Sequence, residues 1–170
     1  MLDILRGRRS IRRYKDARID ERIIEQLKEA ALRSPSSRGI NPWRFLFITD
    51  KEKLEVLSRA KESGSGFLKG AGLGVVVLGQ DKESDVWIED CSIASIILQL
   101  AGQSLGLGSC WIQIRNRMHN SSQSSEDYIR EVLDLPKESR VECMIAFGYP
   151  DEIKEPHPRS ELEYGKIIEE

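Results

Sequence analysis

The segment from about Asp85 to Leu105 constrains this chain most. Trp87, Ile88, Ile93, Ile96, Ile97, Leu98, Leu100 and Ala101 fall at positions that wrap most of the way round a helix. An all-round apolar helix in a water-soluble chain has to be buried on nearly every side. A chain of 170 residues rarely covers such a helix alone, so the segment is a first hint of a dimer. Gly106 and Gly108 end it and lead into a strand over Ser109 to Ile114.

The other elements follow from periodicity. Asp20 caps a helix to about Leu32, with Ile23, Leu27 and Ala30 or Ala31 on one face. Arg44 to Thr49 reads as a strand, and Asp50 caps a second amphipathic helix carrying Leu54, Leu57 and Ala60. Gly74 to Gly79, with four apolar residues in succession, reads as a strand buried on both faces. Ser124 or Ser125 caps a short helix through Leu133, and Val141 to Phe147 is the last strand. The pattern predicts an α+β or α/β sandwich, a central sheet of four to five strands covered by helices. No repeat or linker divides it, so residues 1–170 read as one domain. After Tyr149, Pro150, Pro156 and Pro158 lead into an acidic end with Ile167 and Ile168, a tail that is either frayed or laid across another surface.

Composition narrows the function classes. A net charge of −2 argues against bulk attraction to nucleic acid or anionic lipid. No stretch approaches the roughly 18 to 20 apolar residues of a membrane span. Asp3, Arg6, Arg8 and Arg9 interrupt the apolar run a secretory signal needs. Cys91, Cys110 and Cys143 form no CxxC pair or metal cluster, so they read as reduced, mostly buried thiols of a cytoplasmic protein. His119 and His157, the only histidines, lie in polar segments, and no Ser-His-Asp arrangement emerges.

Three patches are candidates for chemistry. In Arg6 to Tyr14, the alternating Arg8, Ser10 and Arg12 share one side of an extended backbone. Two guanidinium groups flanking a hydroxyl suit a phosphate and its adjoining polyol. Read alone, the patch also fits a solvated basic stretch or a nucleic-acid arm. Ser34-Pro35-Ser36-Ser37-Arg38-Gly39-Ile40-Asn41-Pro42-Trp43 fits a ligand loop or an ordinary turn with a core tryptophan. Gly106 to Gln113 fits a backbone that approaches a planar ligand, or a tight turn into a buried strand. No dinucleotide fingerprint is present.

Together and in this order, the patches resemble the FMN-binding nitroreductase family. RRSIRRY is similar to that family's opening, SPSSRGINPWRF to its Pro-Ser loop, LAGQSLGLGSCWI to its long helix and following strand, and IAFGYP with PHPRSELE to its last strand and basic tail. The resemblance implies a nitroreductase-like sandwich with a mixed sheet, the long helix at a homodimer interface, and the tail from 150 to 170 wrapping the partner. It places Arg8 and Arg159 at the FMN phosphate with Ser10 beside it, Arg9 among the cofactor-binding residues, and His157 where the family often has a lysine. Arg12 would lie near N1 and O2 of the ring. Ser36, Ser37, Arg38 and Asn41 would reach the flavin from the other subunit, and Trp111, Ile112 and Gln113 would back the ring, with Cys110 also among the cofactor-binding residues. Asn41 is one methylene shorter than the usual glutamine, and Arg38 adds a cation near the expected substrate face.

The implied activity is ping-pong transfer from NADH or NADPH through FMN to an electron-poor small molecule such as a nitroaromatic or quinone. No side-chain nucleophile or metal is implied; the flavin carries the chemistry. Specialised flavin chemistry, such as dehalogenation or flavin fragmentation, and a non-enzymatic phosphate- or nucleic-acid-binding module are the alternatives.

Overall fold

The helix and strand signals resolve into five helices and four strands in the computed structural model, which describes residues 1–170. In chain order these are α1 (Leu2–Gly7), α2 (Glu21–Leu32), β1 (Trp43–Ile48), α3 (Lys51–Leu57), β2 (Leu73–Gly79), α4 (Trp87–Ser104), β3 (Gly108–Gln113), α5 (Ser125–Val132) and β4 (Arg140–Gly148). The expected caps are in place. Asp20 and Asp50 accept from the backbone N–H of Arg22 and Lys53, each at 2.8 Å, and the Ser124 hydroxyl accepts from that of Asp127 at 3.0 Å. The short α1 is an addition to the sequence reading; with no buried residue, it leaves no apolar periodicity to read.

The sheet runs β1-β2-β4-β3. All three pairings are antiparallel, so the expectation of a mixed sheet is corrected. The only parallel pairing is a single bridge between Ser10 and Ser109. Strand alternation sends side chains into two cores. Val75, Val77, Cys143, Ile145 and Phe147 meet α2 and α4 on one face. Val76, Leu78, Ile112, Met144 and Ala146 meet α3 and α5 on the other. The all-apolar β2 is buried on both faces because it lies inside the sheet with helices above and below.

α4 is apolar all round, yet the chain covers only part of it. Cys91, Ala94 and Leu98 are sealed against the sheet. On its outer side Ile93 and Ile96 are 41% and 39% exposed, with Ile97 and Leu100 half-buried beside them.

The basic segment after α1 crosses the far edge as an extended arm. Ile11 N donates to Ser109 O at 3.0 Å, Lys15 N to Tyr149 O at 2.9 Å, and Asp151 N to Arg13 O at 3.0 Å. Two glycines permit this approach. A Cβ on Gly108 would lie 2.8 Å from Ile11 Cβ, and one on Gly148 would lie 2.8 Å from the Tyr14 ring. We expect Gly108→Ala to displace the arm and to cost about 1–3 kcal/mol of stability, read from urea unfolding. An unchanged unfolding midpoint would show that the arm carries no part of the fold's stability.

Candidate functional site

The arm is held by its backbone, which frees its cations. Glu152, just after β4, accepts from the backbone N–H of Arg12 at 2.6 Å and of Arg13 at 3.2 Å. Lys154 Nζ donates to Ser10 O at 2.7 Å and lies 3.4 Å from the Glu152 carboxylate. The neighbouring acids are therefore spent on the backbone and on Lys154. Arg8, Arg9 and Arg12 are in no ion pair, whereas Arg6 and Arg13 pair with Asp3 and Asp151. Cys110 lies among Arg12, Ser10, Lys154 and Arg8. Burial outweighs those groups and raises its pKa, so the thiol stays protonated at neutral pH and is no nucleophile. Arg9 takes the opposite side of the arm and lines a cavity of about 250 Å³ with Gln103, Gly106 and Lys154.

The Pro-Ser loop is also preformed, but elsewhere. Arg38, Gly39 and Asn41 adopt φ of 55°, 65° and 55°, a left-handed conformation that costs a side-chain-bearing residue energy and is held only by its surroundings. Here the Ser36 hydroxyl accepts from Asn41 N at 2.8 Å and donates to Asn41 Oδ1 at 2.7 Å. Ser37 N donates to the buried Asp90 carboxylate at 2.8 Å, and the Ser84 hydroxyl lies 3.4 Å from its other oxygen. Arg38 pairs with Asp85, whose carboxyl it holds below its usual pKa chiefly by hydrogen bonding. The extra cation expected on the substrate face is thus answered within the chain, and Asn41 closes its own loop.

The structure does not bring all the expected residues together. The arm meets α4 near Gln103, against which Gly7 packs, while the loop is tied to Asp90. The thirteen-residue step from Asp90 to Gln103 spans about 20 Å of helix. Trp111 and Gln113 alternate to the face opposite Ile112 and bond to one another, Nε1 to Oε1 at 3.0 Å; Gln113 Nε2 then reaches Arg115 O at 3.0 Å. Ile112 lies in the core under α3 and α5, leaving its backbone for any ligand contact. His157 and Arg159 stay within the tail, 3.1 Å from Glu161 and 3.2 Å from the Tyr164 hydroxyl.

Sequence reasoning missed the residues that hold the others. Asp90 is an acid in the first turn of an apolar helix, a detectable anomaly and a favourable charge at a helix N-terminus. Glu152 and Lys154 sit in the tail with no periodicity to mark them. The Arg12 and Arg13 N–H bonds, together with Lys154, hold the Glu152 carboxyl below its ordinary pKa of 4.5, with the Arg12 bond the largest cause. A lowered carboxyl pKa stabilises the fold above the ordinary value and is lost as pH falls through the lowered one. The clamp should therefore be complete at neutral pH and released in acid below the usual carboxylate range. Glu152→Gln should speed exchange of the Arg12 and Arg13 amide hydrogens about tenfold at pH 7; unchanged exchange would remove Glu152 from the clamp.

Comparison with known proteins fits this arrangement. A sequence profile described as the Nitroreductase family matches residues 5–64 and 53–149. A protein of Archaeoglobus fulgidus, provisionally named an NADH dehydrogenase/NAD(P)H nitroreductase, is 34% identical over 158 residues, covering 91% of this chain and 87% of its own. The structure of an FMN-dependent nitroreductase from Clostridium difficile R20291 superposes with a TM-score of 0.97 at 45% identity, covering 99% of this chain and 98% of that one. A Parabacteroides distasonis structure named for the same NADH dehydrogenase/NAD(P)H nitroreductase activities superposes at 0.88 with 30% identity, over 99% and 96% of the two chains. With the profile spanning most of its length, the chain belongs to the nitroreductase family.

Proposed function

We propose that this chain is an FMN-dependent oxidoreductase that draws electrons from NADH or NADPH and delivers them to an electron-poor acceptor such as a nitroaromatic or quinone. One observation carries the reading. Arg8 and Arg12 stand unpaired on a pinned arm, with the Ser10 hydroxyl between them, a donor set that fits a phosphate and the polyol attached to it. The 45% identity to an FMN-dependent nitroreductase supports the choice of FMN. FMN supplies the hydride chemistry that these side chains lack.

The residues bind and orient rather than react. Arg8 and Ser10 hold the phosphate end, with Arg159 and His157 as further donors that the tail brings to it, while Arg9 stands on the other side of the arm. Arg12 offers positive charge to the electron-rich edge of the ring. Ser36, Ser37, Arg38 and Asn41, with Cys110, Trp111, Ile112 and Gln113, complete the walls. The three cysteines are unpaired and buried, which fits a reducing cytoplasm. No helix is long and apolar enough to cross a membrane.

We read residues 1–170 as one unit that works as a homodimer. The outer stripe of α4, with Ile93 and Ile96 exposed, needs an apolar cover. A two-fold axis across it would run the two helices antiparallel, laying the Asp90 end of one on the Gln103 end of the other. That pairing would carry each Pro-Ser loop about 20 Å to the partner's arm. The tail from 150 to 170 exposes Ile153 at 93% and Ile168 at 86%. It would cover the partner, where a groove of about 580 Å³ between α2 and the edge strand β1 presents Leu32, Phe45 and Phe47.

Two measurements test this. Purified protein should show flavin absorption that bleaches anaerobically on adding NADH or NADPH, and Arg8→Ala should weaken FMN binding at least about tenfold. Undiminished affinity would take Arg8 off the phosphate. Ile96→Glu should give monomers in sedimentation and lose flavin with them; a flavin-loaded dimer in that variant would place the interface elsewhere.

A further inference from the structure

Arg12 is the one cation of the arm that meets an aromatic face. Its guanidinium carbon lies 5.7 Å from the centroid of the Phe67 ring, within the roughly 6 Å over which a cation is drawn to a π face. The two come from distant parts of the chain, the arm beside β3 and a single 3₁₀ turn, Gly66–Gly70, that leads into β2. No carboxylate is paired with this guanidinium. Glu152 accepts from the Arg12 backbone N–H at 2.6 Å and lies 3.4 Å from Lys154 Nζ. Arg13 alternates to the other side and pairs with Asp151 at 3.8 Å.

The ring is itself held in place. Phe67 is half-buried against the core under α3 and α5, and its neighbour Leu68 is sealed inside that core. The buried Ser65 hydroxyl donates to Ser58 O at 2.7 Å, which ties the turn to the end of α3. Leu68 N donates to Ser65 O at 2.9 Å and Ala71 N to Leu68 O at 3.0 Å, which close the turn on itself. Arg12 is therefore held at both ends, its backbone by Glu152 and its tip by the ring. The kind of partner at the tip matters. A carboxylate would position the guanidinium and cancel its charge; a π face positions it and leaves the net charge whole. A guanidinium with no partner would spread over many rotamers, and its field at any one point would average down.

We propose that Phe67 is a positioning residue that raises the reduction potential of the bound flavin by steadying Arg12. The inference rests on the oxidoreductase reading above, in which Arg12 faces the electron-rich edge of the ring. Positive charge there favours the reduced, anionic form of the cofactor over the oxidised one. Phe67 touches neither cofactor nor substrate in this account; its whole effect passes through the Arg12 charge.

The test is the midpoint potential of the FMN-loaded protein in a double-mutant cycle. Phe67→Leu should cut the preference for reduced over oxidised flavin about threefold, a fall of about 14 mV for a two-electron couple. Phe67→Tyr, which keeps the π face, should hold the wild-type potential. Arg12→Gln should lower the potential further, and adding Phe67→Leu to it should change nothing more. A second readout needs no flavin: in the full chain without cofactor, ring current should move the Arg12 Hδ resonances upfield, and Phe67→Leu should abolish that shift. An unchanged potential in Phe67→Leu would overturn the proposal. So would the same fall in the Arg12→Gln background, which would assign Phe67 to direct contact with the ring or to packing, or Arg12 resonances at their free-chain positions. A protein that binds no flavin at all brings down the oxidoreductase reading, and this role with it; flavin bound at a potential indifferent to Phe67 brings down the role alone.

Discussion

The packing of α4 is the constraint on which the rest depends. Its inner face is fixed by the interior strands β2 and β4, through contacts such as those of Cys91, Ala94 and Leu98 with the core. Its outer face carries isoleucines that one chain leaves in water. The same helix anchors both halves of the candidate site, the loop at Asp90 and the arm near Gln103. One rigid rod thus sets the separation of their anchor points at about 20 Å. In the proposed dimer, a second copy of the helix would supply both the apolar cover and the other half of the site.

Preorganisation is the second theme. The arm is fixed through its backbone by Glu152 and Lys154, so ordering its arginines does not consume their charge. The loop is fixed by the Ser36–Asn41 pair, Asp90 and Asp85, which hold three left-handed residues in place. A ligand meeting such surfaces loses less affinity to ordering side chains and backbone. The preformed shape also explains why Cys110 stays inert among cations: its burial, which packing imposes, opposes the thiolate more than Arg12 and Lys154 favour it.

Most of the fold was legible because it rests on local signals. The caps at Asp20, Asp50 and Ser124, the all-apolar β2 and the glycines after α4 each leave a mark in a short window. Strand direction was not legible. β3 and β4 pair through a long connection, and pairing direction depends on how the chain returns rather than on any residue in either strand. At the candidate site, the residues proposed to face a ligand share an alternating pattern, as Arg8, Ser10 and Arg12 do. Residues that hold them do not: Glu152 lies about 140 positions from its hydrogen-bond partners, and Asp90 reaches back 53 to Ser37.

The most direct test of a site shared between chains is complementation in mixed dimers. Arg8→Glu damages the arm and Ser36→Tyr obstructs the loop, so each variant alone should bind almost no FMN. Unfolding and re-forming an equal mixture should restore about a quarter of the wild-type sites, because half the dimers are mixed and each has one intact arm facing one intact loop. Recovery near that level would establish that arm and loop meet across the two-fold axis. No recovery from dimers shown to be mixed would contradict the account and return both halves of the site to a single chain.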